Sequence, residues 1–167
     1  MKRLFCGIMI CIILLTGCWN QSESYYTEAV YFYYPLVSFD LSNGNRVISH
    51  ELREGKNFSS ERELLKHYLE GPNNSNLYSP FPVGASLVDY SISDDRICIY
   101  LSHHFNELTG MPYTIATSCI AMTILTYTGL NSVDINVLDA NNEVKSFVTL
   151  TMDQILLNDT CTVPPAE

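Results

Sequence analysis

Apolar positions along the chain change period several times, and each change marks an element. Ala-Val-Tyr-Phe-Tyr-Tyr at 29–34 is aromatic and β-branched and stops at Pro35, which predicts a strand. Asn43-Gly44 is a tight-turn signal between Val37-Ser38-Phe39-Asp40-Leu41 and Arg46-Val47-Ile48-Ser49-His50, so a hairpin is expected there. The period then lengthens. Leu64, Leu65, Tyr68 and Leu69 share one helical face, Ser60 and Glu63 form a capping box ahead of it, and Gly71-Pro72 closes the helix. Residues 73–84 are rich in Asn, Ser and Pro and predict a loop. Residues 86–92 and 96–101 alternate with period two around Ser93-Asp94-Asp95, a second hairpin. Pro112 opens a second helix that runs to about Thr128 and ends at Gly129. Val133–Val137 is a further strand, with Val144–Leu150 paired to it across Ala140-Asn141-Asn142, and the tail from Met152 has the pattern of a helical turn before Val163-Pro164-Pro165. Interleaved strands and helices of this kind predict an α+β fold, a two-layer sandwich with two main helices packed on one face of a mixed sheet.

The first residues follow a different logic. Lys2 and Arg3 precede an apolar run from Leu4 to Leu15, and then comes Leu15-Thr16-Gly17-Cys18, the layout of a signal peptide. About a dozen apolar residues are too few for a spanning helix, which needs ~20. The stop resembles a bacterial lipobox, in which the Cys after the small residues is diacylated; Cys18 is therefore the expected lipidation site and the first residue of the mature chain, the competing reading being an ordinary secretory signal. The expected organisation is a signal peptide at 1–17, a polar tether at 18–28, a folded domain at 29–151 and a tail at 152–167. The ten residues from Trp19 to Glu28 reach at most ~35 Å.

Composition narrows the function classes. The chain has 167 residues, 47% hydrophobic and 16% charged, which suits one domain with a real core and excludes wholesale disorder. Its 9 Lys+Arg against 18 Asp+Glu give a net charge of −9, and loss of Lys2 and Arg3 with the leader leaves 7 against 18, or −11. Such a body is repelled by anionic lipid and by nucleic acid, so lipid on Cys18 becomes its hold on a membrane and no nucleic-acid partner is expected. Of the six cysteines, two leave with the leader, Cys18 becomes the anchor, and Cys98, Cys119 and Cys161 remain in the folded body, an odd number. Small buried thiols are the ordinary explanation for Cys98 and Cys119, with a Cys98–Cys119 bridge or a reactive Cys161 as lesser alternatives.

Candidate chemistry is sparse. His103-His104 is the lone histidine cluster, and on a strand its two rings point to opposite faces, against a shared metal. Asp139-Ala140-Asn141-Asn142-Glu143 spaces oxygens closely but lacks the glycine and distal Glu of a calcium loop, so a turn is expected. Glu51 and Arg53 share a strand face and read as structural. No metal, cofactor or catalytic residue is expected.

One charge pattern stands apart. Between Glu107 and Asp134 the chain carries no charged residue. Ile115, Cys119, Met122 and Thr126 can face the sheet at helical spacing, which leaves Thr114, Thr117, Ser118, Ala121 and Thr128 as a second, small and uncharged face. Loops covering it within the monomer are one explanation. The sharper expectation is a candidate interface, with protein partners or self-association through the 108–133 segment, since charge is depleted at interface cores.

Several segments taken together resemble the GerMN domain of the GerM family of sporulation and germination lipoproteins. Tyr68-Leu69-Glu70-Gly71-Pro72 is similar to the family's Leu-x-Gly-Pro helix stop, and Leu77-Tyr78-Ser79-Pro80-Phe81-Pro82-Val83-Gly84 to its loop into the following hairpin. Ile97-Cys98-Ile99-Tyr100-Leu101-Ser102-His103-His104-Phe105 resembles the strand ending in Leu-Ser-x-x-Phe, and Thr123-Ile124-Leu125-Thr126 the Thr-Leu-Thr of the second helix. Tyr31-Phe32 and Glu51-Leu52-Arg53 match its opening, so the likeness spans about residues 29 to 140; the Asn-Gly hairpin and Asp139-Ala140-Asn141, where a glycine is expected, depart from it. The resemblance implies a fold like the ring-building motif, no catalytic residues, and a binding or assembly role outside the cytoplasmic membrane. The expected protein is a non-enzymatic lipoprotein scaffold of sporulation or germination, anchored on the outer face of the bacterial cytoplasmic membrane. The alternative is a lipoprotein that binds wall fragments or a small solute, with Tyr25, Tyr26, Tyr31, Tyr33 and Tyr34 stacking on sugars.

Overall fold

The computed structural model describes residues 29–38, 47–55 and 58–155. Strand β1 (Ala29–Pro35) pairs antiparallel with β2 (Ile48–Glu54), from Ala29 opposite Glu54 to Pro35 opposite Ile48. This pairing corrects the expected hairpin of residues 37–41 with 46–50. The Leu36 N–H donates to the Val47 carbonyl at 2.9 Å, after which the Val37 N–H turns away to the Asn76 carbonyl at 2.9 Å. Val30, Phe32 and Tyr34 are buried, and a one-residue slip would expose all three, so they set the register. Asn43-Gly44 lies outside the described residues.

Helix α1 (Glu61–Leu69) buries Leu64, Leu65 and Tyr68, as the apolar spacing predicts. Ser60 Oγ accepts the Glu63 N–H at 3.3 Å, while the Glu63 carboxylate reaches back to the N–H of Ser59 at 2.9 Å and its hydroxyl at 2.6 Å. The box closes one residue earlier than the sequence motif expects. Gly71, at φ +100°, then turns the chain away, a conformation that L side chains rarely adopt.

The remaining strands are β3 (Leu87–Ser93), β4 (Arg96–Leu101), β5 (Ser132–Leu138) and β6 (Val144–Thr151), hydrogen-bonded in that order. β4 and β5 are parallel and the two outer pairs antiparallel. A parallel pair needs a crossover, which α2 (Met111–Thr128) supplies after a 3-10 turn at His103–Glu107. Ile97, Ile99, Val133, Ile135 and Val137 are fully buried on one face of this mixed sheet. The other face is open, where Arg96, Cys98 and Asp134 lie on the opposite side of the pleat.

The fold is α+β with two main helices. β1 and β2 form a separate two-stranded sheet, and α2 lies between them and the four-stranded one, packed on β5 and β6 and on β1. The Tyr33 N–H donates to Thr123 Oγ1 at 3.0 Å across this contact. The body continues past residue 151 through a 3-10 turn at Met152–Gln154 to Ile155, which is buried in the core.

Candidate functional site

Every residue of α2 from Ala116 to Leu125 is buried. This corrects the candidate interface at its centre: Thr117 is 3% exposed, Ser118 5% and Ala121 0%, all within one copy of the chain. A helix enclosed by two sheets needs no charged side, and the hydroxyls of Thr117 and Thr128 close on its own backbone. Thr117 Oγ1 donates to the Tyr113 and Thr114 carbonyls at 2.9 and 3.1 Å, and Thr128 Oγ1 to the Ile124 carbonyl at 2.8 Å. Thr128 is half-buried, and only Thr114 of the five is exposed. Cys119 is buried and its thiol pKa is pushed up by that burial, whereas Cys98 sits half-buried on the open face, so the sheet separates the two and excludes a bridge between them. Cys18 and Cys161 lie outside the described residues.

The uncharged segment reaches the surface at its first turn. There Leu108, Met111, Pro112 and Ile115 form one wall of a cleft of about 290 Å³, and Tyr78, Ser79, Pro80, Phe81 and Pro82 form the other. No charged side chain lines it. Met111 is 64% exposed and Tyr78 43%, so the rim is open, while Phe81 closes the floor. Its ring lies 5.1 Å from Tyr68, 5.9 Å from Phe105 and 6.3 Å from Tyr34, all three fully buried.

The segments that carry the sequence resemblance hold this cleft in place. Ser79 Oγ accepts the Phe81 N–H at 3.3 Å. Ser102 Oγ accepts the Ser86 N–H at 3.1 Å, pinning the end of the loop to the end of β4. Gly84, at φ +85°, lies so close to the His104 ring that a Cβ there would stand 3.0 Å from Nε2. The Leu-Ser-x-x-Phe run thus supplies a core leucine, a loop clasp and the ring beneath the floor.

Glu51 and Arg53 brace the same region from behind. Glu51 accepts Arg53 Nε at 2.7 Å and the Asn73 and Asn74 N–H groups at 3.0 and 2.9 Å. Arg53 donates to the Gly71 carbonyl at 2.7 Å and lies over the Phe32 ring at 4.4 Å. Tyr34 Oη donates to the Tyr68 carbonyl, and Tyr68 Oη to the Tyr33 carbonyl, both at 2.7 Å. Burial pushes both phenol pKa values up. The expected tyrosine set is divided by the pleat, since Tyr34 is fully buried while Tyr31 is exposed, and Tyr25 and Tyr26 lie outside the described residues.

The histidine geometry also differs from the expected one. His103 and His104 sit in the 3-10 turn rather than on a strand, and their rings lie 4.1 Å apart, tilted by 32°. Among the described residues no group of three or more His, Cys, Asp or Glu is placed to hold a metal. Asp139 forms a turn: its carboxylate accepts the Asn141 and Glu143 N–H groups at 2.8 and 2.9 Å, and these bonds, led by that from Glu143, lower its pKa.

A family model described as "Germane: Sporulation and spore germination" matches residues 29–143. The chain belongs to the Germane family. It is accordingly a sporulation- and germination-related protein, and the matched region contains both walls of the cleft. Among solved structures, this Germane chain is similar to the tandem GerMN domains of the sporulation protein GerM from Bacillus subtilis, at 16% identity and TM-score 0.49 over 80% of this chain and 49% of that one. It thus spans about half of that relative's length. A Clostridium perfringens protein described as a lipoprotein matches at 21% identity and TM-score 0.40, covering 75% of this chain and 87% of that one. No curated protein matches.

Neither wall of the cleft stands out by residue type, since Tyr78, Phe81 and Met111 read as loop and helix-start residues. The signal was the Ser-Pro-Phe-Pro run in the loop together with Met-Pro at the helix start, two stiff apolar segments that the fold brings together.

Proposed function

We propose that this Germane protein is a lipid-anchored, non-enzymatic binding and assembly module on the outer face of the cytoplasmic membrane, and that its cleft takes an apolar, extended segment of an assembly partner. The cleft carries the reading: it is uncharged in a chain of net charge −9. Such a lining favours uncharged side chains, because a charge placed there loses hydration without a partner. Its volume is at the low end of ligand-sized clefts, which run from about 300 Å³ upward. That suits a few side chains of a polypeptide. The lining holds no acid, base or thiol, in keeping with binding rather than reaction. The anchor rests on the N-terminal sequence, where two acyl chains on Cys18 hold a protein at a membrane stably.

Two experiments test the two parts. Met111→Glu places a carboxylate on the exposed rim; its melting temperature should match the wild type while spore yield or germination rate falls. Full activity in that variant would refute the cleft as the working surface. Cys18→Ala should release the protein from the membrane, and the intact mass of the native protein should show a diacylated chain starting at Cys18. An unmodified chain starting at Met1 would overturn the anchor.

A further inference from the structure

The two edges of the four-stranded sheet are treated differently. At the β3 edge, α1 lies alongside. Arg62 donates to the Val88 carbonyl at 3.4 Å and to Asp89 at 2.5 Å, and the strand bulges between Leu87 and Asp89. A bulge, charges and a covering helix are the usual protections of an edge against further pairing. The β6 edge has little of this. Among the described residues nothing pairs with its outer side, and its own bulge falls at Lys145, the strand's one charged residue, which the register skips. Beyond it, Ser146–Thr151 is a regular, uncharged, Pro-free run of Ser, Phe, Val, Thr and Leu. Phe147 stands on its open face at 71% exposure, next to Asn136 in the pairing.

From this edge we infer that a second copy of the chain pairs antiparallel along β6, joining two four-stranded sheets into one. A second copy is the partner that matches the run Ser146–Thr151 in length and in its lack of charge. An antiparallel pair must keep each residue opposite one of the same face. A two-fold axis at Val148 does so within the regular run: Ser146 meets Leu150 and Phe147 meets Thr149, with no like charges opposed. The two Phe147 rings then lie diagonally on the open face, about 7–8 Å apart and within contact for aromatic side chains. Because α1 guards the other edge, the pairing closes at two copies instead of running on into a fibre. This surface is separate from the cleft and does not depend on it.

Two differently tagged full-length chains, co-expressed and purified in excess detergent, test the inference. Wild-type copies should co-purify, Phe147→Lys should reduce recovery at least tenfold, and Phe147→Lys mixed with Phe147→Glu should restore it. Each variant should melt with the wild type, since the side chain is exposed. Met111→Glu should leave recovery unchanged, which separates this inference from the cleft reading. Absence of wild-type co-purification, or undiminished recovery with Phe147→Lys, would overturn it. Loss without restoration in the Lys and Glu mixture would overturn it too, and would assign the edge to an extended segment of another protein.

Discussion

Helix α1 carries the charges of Glu61, Arg62, Glu63 and Lys66 in nine residues, whereas α2 carries no charge in eighteen. α1 shows one face to the core and one to water, has acids in its first turn and a serine cap, and so uses the local devices of an isolated helix. α2 begins at Gly110 without a side-chain cap and is held by the sheets on either side. Local chemistry makes the first helix and tertiary burial the second. Substitutions in the two helices should therefore fail in different ways and by different amounts.

The largest effect is expected at the middle of α2. Thr117→Lys puts an ammonium at a 3%-exposed position whose hydroxyl now closes on the helix backbone. With no partner for that charge, the loss should be about 3–5 kcal/mol in urea unfolding. An unchanged midpoint would mean that this face is surface, and would bring back the whole second face as a docking site.

Next come the contacts that tie β2 to the end of α1. Glu51 and Arg53 side chains are only 8% and 14% exposed, and their bonds are to each other and to backbone. Glu51→Ala leaves two N–H groups and a guanidinium short of an acceptor, so about 2–3 kcal/mol should be lost, with Glu51→Gln losing less. Thr123→Val tests the contact of α2 with β1. It keeps the shape but removes the acceptor for the Tyr33 N–H, and about 1–3 kcal/mol should follow. Hydrogen exchange at Tyr33 should rise more than at neighbouring β1 amides.

These contrasts show what the sequence could and could not disclose. Element positions were legible because period, caps and turns are local: Ser60, Gly71, Asp94 and Gly129 all mark boundaries where expected. The partner of β1 was not, because an Asn-Gly turn signal says nothing about which flanking residues need burial, and Phe32 and Tyr34 decided it. Nor could spacing show that α2 is covered twice, since an uncharged helical face reads the same under a second sheet as under a second subunit. The cleft was half visible. Its residues belong to segments that resembled the family, but Tyr78 and Met111 become neighbours only through the crossover from β4 to α2.

The smallest effects belong to the cap of α1, and pH separates its two parts. Ser60→Ala removes the acceptor for the Glu63 N–H and should lower stability by about 1 kcal/mol. A hydroxyl does not titrate in this range, so that loss should be the same at pH 7 and pH 3. Glu63 behaves differently. Hydrogen bonds from the Ser59 hydroxyl and N–H hold its pKa below the ordinary glutamate value. Folding thus favours its charged form, and the benefit is full above the unfolded pKa of about 4.3 and disappears as pH falls through the lower folded value. Glu63→Gln should accordingly melt below the wild type at pH 7, and the gap should close on acidification while the Ser60→Ala gap persists. Parallel behaviour of the two variants would mean that the serine, not the carboxylate, carries the whole cap, and that α1 depends on charge less than its composition implies.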